Sequence, residues 1–89
     1  MNLELPGHVS VTHTDDGGVL LDESTGEYWE INQSGAAVLR MLLEGASEQE
    51  AAQALIADLR PGEISPEGAV ADIRELLAQL RAAELVVTS

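Results

Sequence analysis

At 89 residues the chain has room for one small domain spanning residues 1–89, with a core adequate for folding but no enclosed substrate cavity. It contains no cysteine, which excludes disulfides, thiolate metal sites and a cysteine nucleophile, and which fits a cytoplasmic setting. Sixteen acids face four arginines and no lysine, and the resulting net charge of −12 repels phosphate backbones and anionic membranes alike.

That acidity either keeps a small protein soluble or attracts a basic or neutral partner such as a peptide. Both readings set nucleic acid aside. The segment Met1-Asn2-Leu3-Glu4-Leu5-Pro6 lacks the basic start and apolar run of a signal peptide. No apolar stretch approaches the roughly 20 residues needed to span a bilayer.

Residues 8–14 alternate, with Val9, Val11 and His13 on one face and Ser10 and Thr12 on the other, the period of a half-buried strand. Asp15-Asp16-Gly17-Gly18 supplies residues that accept positive φ and predicts a hairpin turn. Val19-Leu20-Leu21-Asp22 makes a second strand, Ser24-Thr25-Gly26 the next turn, and residues 27–31 a third strand. Asn32 is placed to cap the helix that follows, which carries Val38, Leu39, Leu42 and Leu43 at helical spacing and stops at Gly45. Ser47 and Glu50 form a capping box for a second helix with Ala52, Leu55, Ile56 and Leu59 inward, ending near Arg60-Pro61-Gly62. Ser65-Pro66 opens the longest helix, whose apolar face is Val70, Ile73, Leu76, Leu77 and Leu80. Leu85-Val86-Val87 adds a short extended tail. The predicted fold is α+β and winged-helix-like: an N-terminal three-stranded antiparallel β-meander followed by three α-helices.

A winged helix commonly serves as a DNA-binding transcription regulator, but shape alone does not assign function. The polar side of the third helix here is Asp72, Glu75 and Gln79, where base and phosphate contacts need a recognition helix rich in Arg, Lys, Asn or Gln. The two histidines, His8 and His13, are an odd number apart and fall on opposite strand faces, so they do not make a metal site. The hydroxyl residues sit where turns and caps use them, and no phosphate-binding loop is present. No catalytic group and no cofactor site emerges. What remains is the third strand, which holds both aromatic residues, Tyr28 and Trp29. Trp29 and Ile31 are expected to anchor the core, with Tyr28 and Glu30 on the other face. As an edge of the meander, this strand is either guarded by Glu27 and Glu30 or kept open for an added peptide strand.

The run Gly26-Glu27-Tyr28-Trp29-Glu30-Ile31-Asn32, followed by Gly35 and by Leu39 through Gly45, resembles the strand–Asn-x-x-Gly–helix–Gly signature of PqqD-like proteins. Ser47-Glu48-Gln49-Glu50-Ala51-Ala52 is similar to their second-helix opening, and Asp72-Ile73 with Leu76, Leu77 and Leu80 to their third helix. Order and spacing over residues 7–87 carry the resemblance. One departure is Ala83-Glu84, where the family usually has a glycine, so the last turn of the third helix is expected to end differently. The resemblance implies a RiPP recognition element, a non-catalytic module that binds the leader of a ribosomally made precursor peptide, most like the stand-alone subunit of lasso-peptide pathways. It implies that the leader adds beside the third strand and lies against the third helix. The partners implied are a transglutaminase-like cysteine protease and an ATP-dependent macrocyclase. The alternative within the family is a precursor-peptide chaperone of the PQQ type. On this basis the expected peptide-binding residues are Glu27, Tyr28, Trp29, Glu30 and Ile31 on the strand, and Val70, Asp72, Ile73, Glu75, Leu76 and Leu77 on the helix.

Overall fold

The computed structural model describes residues 3–59 and 62–88. The expected inward packing of Leu59 and the helix stop at Arg60-Pro61 fall outside what is described. Strands β1 (Leu3–Glu4), β2 (Val9–Thr14), β3 (Gly17–Asp22) and β4 (Tyr28–Asn32) precede helices α1 (Gln33–Leu43), α2 (Glu48–Ala54) and α3 (Pro66–Ala82). A wider π-helical turn, Leu55–Leu59, extends α2, and β5 (Val87–Thr88) follows α3. The meander is antiparallel in the order β2-β3-β4, giving the α+β arrangement expected from the sequence. The tail does more than extend: Val87 pairs with Glu4 and Thr88 with Leu3, closing a small second sheet from the two ends of the described chain.

The first turn differs from the expected form. Thr14 pairs with Gly17, so Asp15 and Asp16 alone make the bend and neither has positive φ. The glycines instead begin β3, where both are buried. Gly17 has φ of +150°, and a Cβ there would lie only 2.1 Å from the carbonyl oxygen of Ile31 on β4. The β3–β4 turn is held by Asp22, whose side chain accepts from the Ser24 hydroxyl (2.6 Å) and from the amides of Ser24 (2.9 Å) and Thr25 (3.3 Å). These bonds, the hydroxyl first, hold its carboxyl below the ordinary value.

Helix starts follow the sequence closely. Asn32 Oδ1 accepts from the Gly35 amide at 2.8 Å, and Ser65 Oγ from the Gly68 amide at 3.1 Å. At Ser47 both halves of the capping box form, at 2.9 and 3.0 Å, and the Ser47 amide holds the Glu50 carboxyl below its usual value. The end of α3 overturns the expectation drawn from the missing glycine. Glu84 takes φ of +60°, its amide donates to Arg81 and the Leu85 amide to Leu80 at 2.8 Å. This is the left-handed ending that glycine usually provides, with Leu80 and Leu85 both buried beneath it. Because a non-glycine residue is strained there, Glu84→Gly should raise stability by about 0.5–1 kcal/mol, or about 4 °C in Tm. A lower Tm by circular dichroism would mean that the Glu84 side chain contributes more than the strain costs.

The core is wholly aliphatic. Leu20 of β3, Val38, Leu39 and Leu42 of α1, Ala51 and Ala52 of α2, and Ala69, Ile73, Leu77 and Leu80 of α3 are all buried in it. Trp29 corrects the expectation of a core anchor. Its cross-strand partner Leu20 is fully buried, but Trp29, one strand further out on the same face, is 39% exposed. Burial falls off from the central strand to the edge, and only Ile31, beside the α1 cap, packs against the core.

Candidate peptide-binding cleft

The phase of the β3–β4 ladder decides which backbone groups of β4 are available. The Asp22 amide donates to the Glu27 carbonyl at 2.8 Å, which makes residues 22 and 27 a hydrogen-bonded pair. In an antiparallel ladder such pairs alternate with non-bonded ones. Trp29 and Ile31, opposite Leu20 and Gly18, therefore turn their N–H and C=O groups toward β3. Tyr28 and Glu30 turn theirs outward. Among the described residues nothing pairs with that outer edge. The β2–β3 ladder has the complementary phase, since the Glu23 amide donates to the His8 carbonyl at 2.7 Å and leaves the even positions of β3 for β4.

Where β4 runs into α1, a cleft of about 230 Å³ opens between that junction and α3. Leu55, Val38 and Ile73 supply apolar lining, and Asn32, Ser34 and Gly35 come from the junction. The α3 wall is the stripe Asp72, Glu75, Leu76 and Gln79, at spacings of three, one and three residues. Gly35 keeps the cap clear: a Cβ there would crowd Asn32 Oδ1 at 3.0 Å, while meeting Leu76 Cδ2 across the cleft only in ordinary contact at 3.8 Å. The Asn-x-x-Gly pattern thus serves a helix cap that borders the cleft. Arg74, in sequence between the two acids of the stripe, is turned to α2, where its Nε donates to Glu48 at 3.2 Å. That surface pair is worth about 0–1 kcal/mol.

The structure separates the expected site residues into three sets. Glu27 flanks β4, Tyr28 and Glu30 lie on the outer sheet face, and Trp29 and Ile31 lie on the helix side. Tyr28 is 65% exposed and stands opposite Leu21, itself partly exposed. Asp72, Glu75 and Leu76 line the cleft, with Ile73 at its base and almost fully buried. Leu77 is turned into the core at 1% exposure and does not line the cleft; Val70 packs on the core from one side and does not line it either. The lining residues Asn32, Ser34, Gly35, Val38, Leu55 and Gln79 were not among those expected. The Asn-x-x-Gly signature pointed to two of them, and the polar spacing of α3 to Gln79. Leu55, at the start of the π turn, carries no sequence signal. His8 and His13 are exposed, and among the described residues no group of three His, Cys, Asp or Glu is placed to hold a metal ion. No described helix is long and apolar enough to cross a membrane.

A small sheet whose β4 edge is open, joined through a capped helix to an acidic cleft, is an α+β arrangement with the edge and groove that strand-adding peptide sites use. Residues 17–86 match the family described as Coenzyme PQQ synthesis protein D (PqqD), and the chain belongs to that family. Among solved structures it is similar to "Lasso peptide synthetase B1 complexed with the leader peptide", at 33% identity and a TM-score of 0.88, covering 99% of this chain and 100% of that one. It is also similar to "TbiB1 in Complex with the TbiA(beta) Leader Peptide", at 27% identity and a TM-score of 0.81, covering 100% of this chain and 98% of that one. Comparison with curated proteins gave no match.

Proposed function

We propose that the protein is a RiPP recognition element of a lasso-peptide pathway, binding the leader of a ribosomally made precursor without catalysing its modification. The observation that carries this reading is the pair of outward-facing residues Tyr28 and Glu30 on an edge that leads into the α3 cleft. An extended leader gains main-chain hydrogen bonds from Tyr28 and Glu30. Its alternate side chains reach the helix side, where Trp29, Ile31 and Leu76 offer apolar surface and Asp72 and Glu75 a negative wall. Two relatives of the same fold and length, described as bound to leader peptides, support it. By holding the leader, the module raises the local concentration of the precursor for a transglutaminase-like cysteine protease and an ATP-dependent macrocyclase, in the cytoplasm. The family match also favours a second reading, a precursor chaperone of the PQQ type, which uses the same edge on a different peptide.

Trp29 is the only tryptophan, partly exposed and between the two outward-facing residues. Titration with lasso and PQQ leader peptides should therefore shift its emission to the blue, saturably, with the preferred precursor class giving the tighter curve. If no leader of either class alters Trp29 emission or gives heat in calorimetry, the proposal fails.

A further inference from the structure

The phase of β4 also determines which leader side chain meets which part of the protein. In parallel and antiparallel pairing alike, a residue opposite a given strand position projects to the same sheet face as that position. A strand bonded to Tyr28 and Glu30 therefore sets one side chain beside Glu30 on the outer face. The residues on either side of it stand beside Trp29 and Ile31, toward the helices and the cleft. On the outer face Glu30 is followed across the sheet by Val19 and then Thr12, neither of them charged. Residues 1–39, which contain the whole meander, hold seven acids and no Lys or Arg. Glu30 is exposed on the outer face, with no Lys or Arg on its own sheet, and is the residue that a side chain of an added strand would stand beside.

We propose that Glu30 is a specificity-determining residue: it selects Lys or Arg at the single leader position paired with it, and disfavours Asp or Glu there. This rests on the strand-addition reading above. Cross-strand opposite charges attract and like charges repel, which together make a three- to tenfold difference in Kd between Lys and Glu at that position, on the order expected for exposed pairs. The effect grows as salt is lowered. If Glu30 only guards the edge against aggregation, no single leader position will show this preference.

The test uses the TbiA(beta) leader peptide and two scans of it, one substituting Lys and one Glu at each position in turn. Binding is read by fluorescence anisotropy with the parent protein, Glu30→Arg and Glu30→Pro, each confirmed folded by circular dichroism. One position should prefer Lys over Glu by three- to tenfold with the parent, and the preference should reverse with Glu30→Arg while other positions are unchanged. Superimposable profiles for the parent and Glu30→Arg overturn the proposal, as does a Lys preference spread evenly along the peptide. If Glu30→Pro loses the unsubstituted peptide while the parent's scans are flat, the charge assignment alone fails. If Glu30→Pro binds as the parent does, strand addition itself fails; if no peptide of the series binds the parent, the lasso-leader reading on which the proposal rests fails.

Discussion

Glu30→Pro is expected to weaken leader binding at least tenfold while leaving the fold intact. The Glu30 amide points away from β3, so proline removes no ladder bond from the free protein, and edge strands tolerate proline in that orientation. What it removes is one of the donors offered to the leader, and its ring occupies part of the path of the incoming strand. A lost hydrogen bond of about 0.5–1.5 kcal/mol plus that obstruction accounts for the tenfold loss. Glu30→Ala keeps the amide and should cost no more than about threefold, the value of an exposed charge. Proline at Trp29 or Ile31 is the contrasting case, since those amides bond β3 and the sheet itself would suffer. Isothermal titration with a leader peptide that binds the parent, alongside thermal unfolding, separates these outcomes. Equal affinity for folded Glu30→Pro and the parent would place the leader elsewhere.

Gly17→Ala should be the most damaging single-methyl change in the protein. The new Cβ would overlap the Ile31 carbonyl and come within 2.7 Å of the Asn32 carbonyl carbon, and the φ of +150° is one that alanine rarely adopts. The backbone conformation and the overlap together should cost about 3 kcal/mol or more, a large part of the stability of a domain this size. Thermal unfolding should show Tm lowered by about 15 °C. Gly26→Ala isolates the conformational part, because Gly26 has φ of +80° with nothing within 4 Å of its Cβ position. That variant should lose only about 1–2 kcal/mol. If the two variants unfold at the same temperature, the close approach of β3 and β4 is not what Gly17 serves. The consequence reaches the site, since the displaced atoms belong to the end of β4 and the cap that forms one side of the cleft.

Local chemistry was legible in the sequence wherever neighbouring residues complete it. Asn32, Ser47 with Glu50, and Ser65 before Pro66 each meet their partner within three residues, and each forms the cap expected of it. The meander was legible for the same reason, since short turns fix which strands pair. The pairing of β1 with β5 was not, because it joins two-residue strands from opposite ends of the chain. Trp29 was misjudged because alternation gives a residue's face and not how far across the sheet the core extends. On α3, periodicity gave an apolar side without its rotation; only the packed structure separates Leu77 in the core from Leu76 in the cleft. Glu84 shows a missing glycine replaced in function, because the closing bonds and the burial of Leu80 and Leu85 outweigh the strain of a left-handed residue.

Strand addition at β4 is the central claim, and amide-resolved hydrogen exchange of Tyr28, Trp29, Glu30 and Ile31 tests it most directly. In the free protein Trp29 and Ile31 should exchange slowly, because they bond β3, whereas Tyr28 and Glu30 should exchange quickly. A saturating leader peptide should slow Tyr28 and Glu30 strongly while changing Trp29 and Ile31 comparatively little. Leader binding that left the Tyr28 and Glu30 amides as fast as before would contradict strand addition at this edge.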